Sequence, residues 1–396
     1  MVSTIYKFYY KNGLQFDFPN NQRLLIDGKS SKVPLNAQTI VTHAHSDHFT
    51  FMYSTPNTRA TQETIDLFLC QKKPSGSIKF EPVNFNEKVE FLSSLDDLDI
   101  RLIPSGHILG SASVLISYNS KNILFTSDIG GKGQLTVKDS MKVPKADILI
   151  IEATFGSPEL SFPSREEISM DILKWSADVV KEKRNVVFFA GKIGSAQELI
   201  KMYNNLTNLR VITHGEVTPV SEVYQKHGIK LEFFDSKSEE GREILRDGEA
   251  IVIQPRGKKM VPFFIKEHVN CRSAIVTGMA SRFQYKDFDA AFPLSSHANY
   301  AELVDYINTV SPEIIFTMYG LEKKLANAIT NELKIEAIPL REKKEEPNIQ
   351  QTTKISYVKK EKSLTRDQQD FNQKKDLPLK KDSKKVTTLD DFFSKE

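Results

Sequence analysis

Over the first 155 residues the apolar positions come in short runs separated by polar turn signals: YKFYYKNGLQF, RLLIDG, TIVTH, DIRLIPSGH, SVLISYNSKNILFTSD and ADILIIEATFG. Runs of this length, rich in β-branched and aromatic residues and bounded by Gly, Asn, Asp and Ser, predict strands, and SYNSKN between two of them predicts a hairpin turn. One helix is expected in this region, around Gln62 to Cys70. The first part of the chain should be mostly β.

From about residue 165 the pattern changes. REEISMDILKWSADVVKEK is amphipathic at helical spacing, NVVFFAG reads as a buried strand, and SAQELIKMYNNL is helical again. LRVITHG, PVSEVYQKHG, EAIVIQP and SAIVTGM continue the alternation, which predicts an α/β module with a parallel sheet. Segments 300–310, 313–317 and 321–333 read as helix, strand and helix. After about Arg341 the chain turns into EKKEEPNIQQTTKISYVKKEKSLTRDQQDFNQKKDLPLKKDSKK, with few apolar residues to offset the entropy of ordering it, so a disordered tail is expected. No internal repeat is visible.

Composition bounds this picture without changing it. A chain of 396 residues, 39% hydrophobic, can bury one large core or two medium ones, and its length suggests two to three domains. Two lone cysteines, Cys70 and Cys271, exclude a disulfide framework and a thiolate zinc site, leaving packing as their role. The N-terminal MVSTIYKFYYKNGLQFDF lacks the apolar core of a signal peptide, and no run approaches the roughly 18 apolar residues of a membrane span. The expectation is a soluble intracellular protein with no membrane partner, cytoplasmic, or nuclear in a eukaryote. The net charge of +3 is concentrated at the end: residues 341–396 hold 15 Lys/Arg and 11 Asp/Glu, leaving 39 and 40 for the rest. A nucleic-acid site on the body must therefore be a local basic patch.

The run TIVTH leads into the densest chemistry of the chain, TIVTHAHSDHFT, where His43, His45, Asp47 and His48 fall within six residues. A turn leaving a strand end can aim several side chains at one point, and imidazole and carboxylate ligands suit zinc and similar divalent ions. Two neighbouring ions could be served, with two histidines on one side and the Asp–His pair on the other. Further ligands should come from other strand ends: His107 in RLIPSGHILGSAS and Asp128 in NILFTSDIGG, both beside glycines that let backbone approach a site.

THAHSDH followed by SGHILGSA and TSD resembles the metallo-β-lactamase fold, and IEATFGS, Ile151 to Ser157, resembles the first signature of its β-CASP nuclease branch. VVFFAGKIGSAQEL, AIVTGMAS and PLSSHANYAELVDYI are similar to later signatures of that branch, in the same order, so the resemblance spans about residues 5 to 340. Within the branch the likeness is to DNA-ligase-associated exonucleases and archaeal 3′-end processing factor-like proteins. It implies an αββα sandwich from residues 1–160 and 291–340, a β-CASP domain at 161–290 between them, and a basic tail at 341–396. It also implies that His43, His45, His107 and Asp128 hold a first metal, that Asp47, His48 and the shared Asp128 hold a second, and that Glu152 and His297 form an acid pair, with His297 protonating the departing 3′-oxygen. Asp47 counts among the catalytic residues with that pair.

The chain departs from the branch where a histidine of the second metal site usually follows a strand, because EIIFTMYG offers Met318 and Tyr319 instead. The cofactor expected is therefore Zn2+, or Mn2+ in its place, with one ion tight and the second weak or completed by substrate phosphate.

Substrate contacts are sought in FFAGKIGSAQEL, where Lys192, Ser195, backbone N–H groups and a helix start converge on a phosphate-sized space, with Ser195 as N-cap the plainer reading. Arg256, Lys258 and Lys259 in QPRGKKM, and Arg282 in TGMASRF, are further candidates. His214, His227 and His268 receive no chemistry. At the end, KKVTTLDDFFSKE resembles a PIP box, the peptide that docks on the PCNA sliding clamp: Leu389, Phe392 and Phe393 would share one face of a helical turn, although Val386 stands where Gln is usual.

These features together lead to the expectation of a metal-dependent DNA nuclease, 5′ to 3′ and exonucleolytic, working in repair or replication with PCNA and DNA ligase as partners. An RNase of RNA end processing is the first alternative. A weakly catalytic DNA-binding accessory of clamp or ligase is the second.

Overall fold

The computed structural model describes residues 7–29, 33, 37–53, 55–72, 74, 78–90, 95, 97–137, 143–257 and 270–341. Lys258, Lys259, His268 and the tail with its motif at 386–393, including Leu389, Phe392 and Phe393, lie outside the described residues.

The apolar runs of the first part become strands β1 (Lys7–Tyr10), β2 (Leu14–Phe18), β3 (Gln22–Ile26), β4 (Ala37–Ile40), β5 (Thr58–Ala60) and β6 (Phe80–Pro82), which lie side by side in that order as one sheet. Helix α1 (Gln62–Gln71) starts at Thr61, whose hydroxyl caps the Thr64 N–H, and its Phe68 stacks edge-on against Phe49 at 5.1 Å. A second sheet contains β7 (Asp99–Pro104), β8 (Ala112–Tyr118), β9 (Lys121–Phe125) and β10 (Ile148–Ala153). The β8–β9 connection is a tight hairpin at Asn119 and Ser120, both at positive φ, as SYNSKN predicts.

The next six strands form a sheet of their own: β11 (Asn185–Ala190), β12 (Val211–Thr213), β13 (Phe234–Asp235), β14 (Ile251–Pro255), β15 (Cys271–Val276) and β16 (Ala290–Phe292). Their order is β13-β12-β14-β11-β15-β16, with every pairing parallel. Helices α2 (Arg165–Lys181), α3 (Ser195–Leu206) and α4 (Val217–Lys226) pack on one face, and α5 (Glu239–Asp247) on the other. α2 opens with a full capping box, Ser164 with Glu167, which explains its sharp start.

The chain then returns to the second sheet. α6 (Tyr300–Val310), β17 (Ile314–Gly320), α7 (Glu322–Glu332) and β18 (Glu336–Pro339) follow, and β17 pairs in parallel with β10 from Ile148↔Ile314 to Glu152↔Met318. The second sheet therefore reads β18-β17-β10-β9-β8-β7.

Alternation along its strands separates two cores. Leu149, Ile151 and Ile315 face α6 and α7, burying Leu303, Ile307, Val310, Leu325 and Ile329. The other face meets the first sheet, where Phe8 packs edge-on against Phe316 at 4.9 Å and Phe18 against Tyr118 at 5.6 Å. Two sheets face each other with helices outside them. Among the described residues no helix is long and apolar enough to cross a membrane.

Candidate metal centre

The residues after β4 leave the strand buried. Thr42 anchors this exit: its N–H and hydroxyl both donate to the Asp27 carboxylate, at 2.8 and 2.6 Å. The Thr42 hydroxyl also lies 3.0 Å from Nδ1 of His43, which leaves Nε2 of that fully buried ring with no hydrogen-bond partner. His107 is oriented the same way, with Nδ1 3.2 Å from the Ser296 carbonyl and Nε2 turned inward, 3.0 Å from Nδ1 of His45 and 3.6 Å from Oδ2 of Asp128. His43 Nε2 stands 3.4 Å from the same Asp128 oxygen.

One ligand atom from each of His43, His45, His107 and Asp128 therefore lies within 4.8 Å of all the others. An orphaned buried nitrogen, two imidazole nitrogens facing each other and a carboxylate at one point fit a divalent cation, and outer hydrogen bonds already fix the ring orientations. Burial, then the neighbouring histidines, pushes His43 and His107 well below the usual imidazole range, and burial, then His297, pushes His45 down to about 4. All three rings are neutral at pH 7, the state a metal ligand needs. Asp128 is pushed up to about 7 by burial, against the pull of His48 and His297.

On the other side, His48 Nε2 lies 3.6 Å from Asp47 Oδ2 and 3.7 Å from Asp128 Oδ2. Asp47 is the one open carboxylate here, its side chain 73% exposed. His48 is aimed by Nδ1, 2.9 Å from Asp27 Oδ2, and Asp27, His43 and His48 form a second compact group. Burial opposes its protonation, but Asp128 and Asp27 hold His48 protonated up to about 10.

The sequence reading missed Asp27. Its carboxylate serves Thr42, His48 and, at 3.1 Å, the Ser127 hydroxyl, and it sits at φ +50° just beyond β3. The signal available was its place in RLLIDG, an acidic residue between a strand end and a glycine, the same context that singled out Asp128.

Glu152 is the fifth of the six buried residues of β10, with one oxygen accepting the Ile129 N–H. His297 Nδ1 is 3.1 and 3.3 Å from its two oxygens, and Nε2 is 3.9 Å from Asp128 Oδ2. Although burial opposes it, Glu152 and then Asp128 push His297 up to about 9. The backbone pins this pair to the metal ligands: His297 bridges to Gly130, and the Ala298 N–H donates to the Ile129 carbonyl at 2.8 Å. A Cβ on Gly130 would stand 1.8 Å from the Gly106 carbonyl oxygen, so the His107 and Asp128 turns meet only because that residue is glycine.

The loop before α3 differs from expectation. The N-cap is Gly194 at φ +90°, not Ser195, which is the first helical residue. The N–H groups expected to be open to a phosphate are partly used, since Gly194 N–H donates to Gln197 Oε1 at 2.8 Å and Ala196 N–H to the Gly191 carbonyl at 3.1 Å. Lys192 is paired with Glu216 at 2.9 Å. The loop nevertheless reaches the centre, because the Ile193 backbone hydrogen-bonds the His45 ring. Arg256 is exposed at the end of β14, and Arg282 lies over the Phe283 ring at 5.5 Å. Neither is brought into contact with the metal ligands by any bond described here. His214 is held by Ser236 at 2.8 Å and His227 by Asp66 at 2.8 Å, structural contacts in both cases.

No family model matches the chain. Over 304 residues it is 27% identical to a probable DNA ligase of Opitutus terrae, which covers 74% of this chain and 28% of that one. It is 26% identical over 208 residues to an RNase J-like protein of Methanocaldococcus jannaschii, 48% of this chain and 49% of that one. It is 26% identical over 218 residues to the transcription termination factor FttA of Pyrococcus horikoshii, 48% of this chain and 33% of that one. The chain thus spans half or less of the length of these curated relatives. Among solved structures, a protein of unknown function from Enterococcus faecalis superposes with a TM-score of 0.57 at 13% identity, covering 84% of this chain and 97% of that one. The fold is α/β, a metallo-β-lactamase αββα sandwich carrying an inserted α/β module.

Proposed function

We propose that the chain is a metal-dependent phosphodiesterase of the β-CASP type, cutting nucleic acid in the exonucleolytic mode, with DNA ahead of RNA. The observation that carries this reading is the adjacency of two devices: a buried cluster of neutral imidazoles with Asp128, and a Glu152–His297 pair whose Nε2 stands 3.9 Å from that same aspartate. A divalent ion would be held by His43, His45, His107 and Asp128, where it would supply Lewis-acid chemistry suited to a phosphodiester and to hydroxide near neutral pH. The remaining work falls to the chain. Glu152 fixes His297 through Nδ1 and keeps it protonated, and Nε2–H then faces the reaction space as the general acid for the departing oxygen. Asp47, the exposed carboxylate beside His48, would orient the attacking water or share a second ion with Asp128.

Residues 161–290 would act as a β-CASP domain between sandwich parts 1–160 and 291–340, with Lys192, Ser195, Arg256 and Arg282 along the substrate path. Lys192 would exchange Glu216 for phosphate, a small change because an exposed ion pair of this kind contributes little. The DNA preference is supported by the ligase relative and by the PIP-like end of the tail, and recruitment by PCNA would rest on Leu389, Phe392 and Phe393. RNA end processing is the second reading, favoured by the RNase J-like and termination-factor relatives.

The test uses matched 5′- and 3′-labelled single-stranded DNA and RNA of one sequence, incubated with Mn2+ or Zn2+ beside the His45→Ala chain. Metal-dependent loss of the 5′ label from DNA, absent in the variant and slow on RNA, is the expected result. Faster cleavage of RNA replaces the first reading by the second, and no cleavage of either rules out both.

A further inference from the structure

Arg165 opens helix α2, where a cation opposes the helix dipole and where Glu166 and Glu167 already supply the acids that a first turn favours. Its side chain leaves the helix and is nearly buried, 13% exposed, with all three guanidinium nitrogens engaged. Nε donates to the Lys132 carbonyl at 3.3 Å, Nη2 donates to the Ser295 carbonyl at 2.7 Å, and Nη1 lies 3.4 Å from Oε2 of Glu198. A planar fork serves acceptors in three directions at once, which the single ammonium of a lysine does not.

Glu198 is the counterpart, the fourth residue of α3, with a side chain 3% exposed. Its carboxylate also accepts the Leu135 N–H at 2.9 Å, the Thr136 N–H at 2.8 Å and the Thr136 hydroxyl. A buried pair satisfied in this way depends on both partners. The starts of α2 and α3, in the inserted module, thereby meet loop 132–136, which follows β9, and loop 295–297, which precedes α6.

Loop 295–297 carries His297. Beyond that residue the backbone is pinned by Gly130 and Ile129; before it, the Ser295 carbonyl is held by Arg165, and the Ser295 hydroxyl accepts the His297 N–H at 3.0 Å. The start of α3 presses on the same loop, since a Cβ on Gly194 would stand 2.3 Å from Oγ of Ser296. One short stretch of the module therefore bonds the His45 ring through the Ile193 backbone and, five residues on, holds the His297 loop through Glu198 and Arg165.

We infer that Arg165 and Glu198 are positioning residues for the general acid: their ion pair, anchored in the inserted module, holds the Ser295 carbonyl and through it sets His297 Nε2 against the departing oxygen. The module then supports the acid as well as the substrate path. This rests on the reading of His297 as the acid and not on the choice of DNA or RNA.

The experiment separates proton delivery from the rest of the reaction. The full chain with Mn2+ is given one oligonucleotide in two forms, with the ordinary 3′-oxygen or with a bridging 3′-sulfur at the scissile linkage, whose thiolate departs without a proton. The loss of kcat in Arg165→Ala is expected to be about tenfold or more greater on the oxygen linkage than on the sulfur linkage, with KM close to that of the wild type. Arg165→Lys, which keeps the charge without the fork, is expected to move the oxygen-to-sulfur ratio in the same direction, and it carries the comparison if Arg165→Ala does not fold by circular dichroism. Hydrogen–deuterium exchange, which needs no turnover, is expected to rise across 132–136 and 294–298 in either variant.

Equal losses on the two linkages, or no loss on either, overturn the inference. His297→Ala separates it from the reading beneath it: a ratio that moves there but not in the Arg165 variants overturns the link alone, and a ratio that stays fixed there overturns the acid itself. If the wild type cleaves neither form, the nuclease reading falls and exchange decides the link, raised exchange keeping Arg165 as the support of loop 295–297 and unchanged exchange overturning it.

Discussion

Replacing Glu152 by Gln tests the acid pair in one substitution. The amide keeps the volume of a fully buried side chain and removes the charge 3.1 Å from His297 Nδ1. In the metal-free chain His297 is pushed up to about 9 from an ordinary 6.5, which corresponds to about 3 kcal/mol of extra hold on its proton at about 1.4 kcal/mol per decade. Glu152 is the first of the raising influences and Asp128, at 3.9 Å, the second, so the larger part should vanish with Glu152. The His297 midpoint should fall by at least one pH unit, followed by its imidazole resonances in a nuclear magnetic resonance titration. The sign for stability follows from linkage: a pKa raised in the fold stabilises fully below about 6.5, and that contribution is lost as pH rises through about 9. Urea unfolding at pH 6 and pH 9.5 should therefore differ less in the variant than in the wild type. A His297 midpoint that does not move, in a variant that still folds, would refute the assignment of Glu152 as the group that holds the proton in place.

Asp27→Ala removes the acceptor shared by Thr42, Ser127 and His48, leaving the buried Thr42 and Ser127 donors and the Nδ1–H of His48 without it while Asp128 still faces Nε2, and should cost about 3 kcal/mol in urea unfolding; a loss below about 1 kcal/mol contradicts the network. Gly130→Ala forces the His107 and Asp128 turns apart and should lower Mn2+ affinity at least tenfold by calorimetry, whereas unchanged affinity would show that the turns need not touch. Because Asp128 is pushed up to about 7 in the metal-free chain, metal affinity should fall as pH drops below 7, with protons released on binding, read from the dependence of the observed heat on buffer ionisation enthalpy; a flat profile from pH 5 to 8 counts against Asp128 as a ligand. Lys192→Ala should raise KM for an oligonucleotide with little change in kcat and reduce the salt dependence of binding by about one phosphate contact; identical salt slopes would remove Lys192 from the substrate path.

The chain by itself determined what depends on neighbours in sequence. Apolar runs and helical periodicity marked most strands of the three sheets and helices such as α2, because burial of one face acts over a few residues, whereas the short β5, β6, β13, β16 and β18 carried too little pattern to be read. His43, His45, Asp47 and His48 were legible because ligand chemistry is rare and here concentrated on a single turn, and His107 and Asp128 because each ends an apolar run beside glycine. Asp27 stood in the same context and passed unnoticed, since nothing local distinguishes an acid that holds other ligands from one that ends a turn.

Only the tertiary structure decided how these pieces meet. β10 and β17 are neighbours although a six-stranded sheet lies between them in sequence, and that pairing brings Glu152, His297 and Tyr319 around one centre. The spent N–H groups before α3 and the pairing of Lys192 with Glu216 likewise depend on contacts that a phosphate-loop pattern does not encode. Tyr319 shows the limit most sharply. An aromatic residue argues for a regular strand, and its ring faces His48 at 5.3 Å because the pairing of β17 with β10 slips after Glu152 and imposes a positive φ that the residue alone would never select.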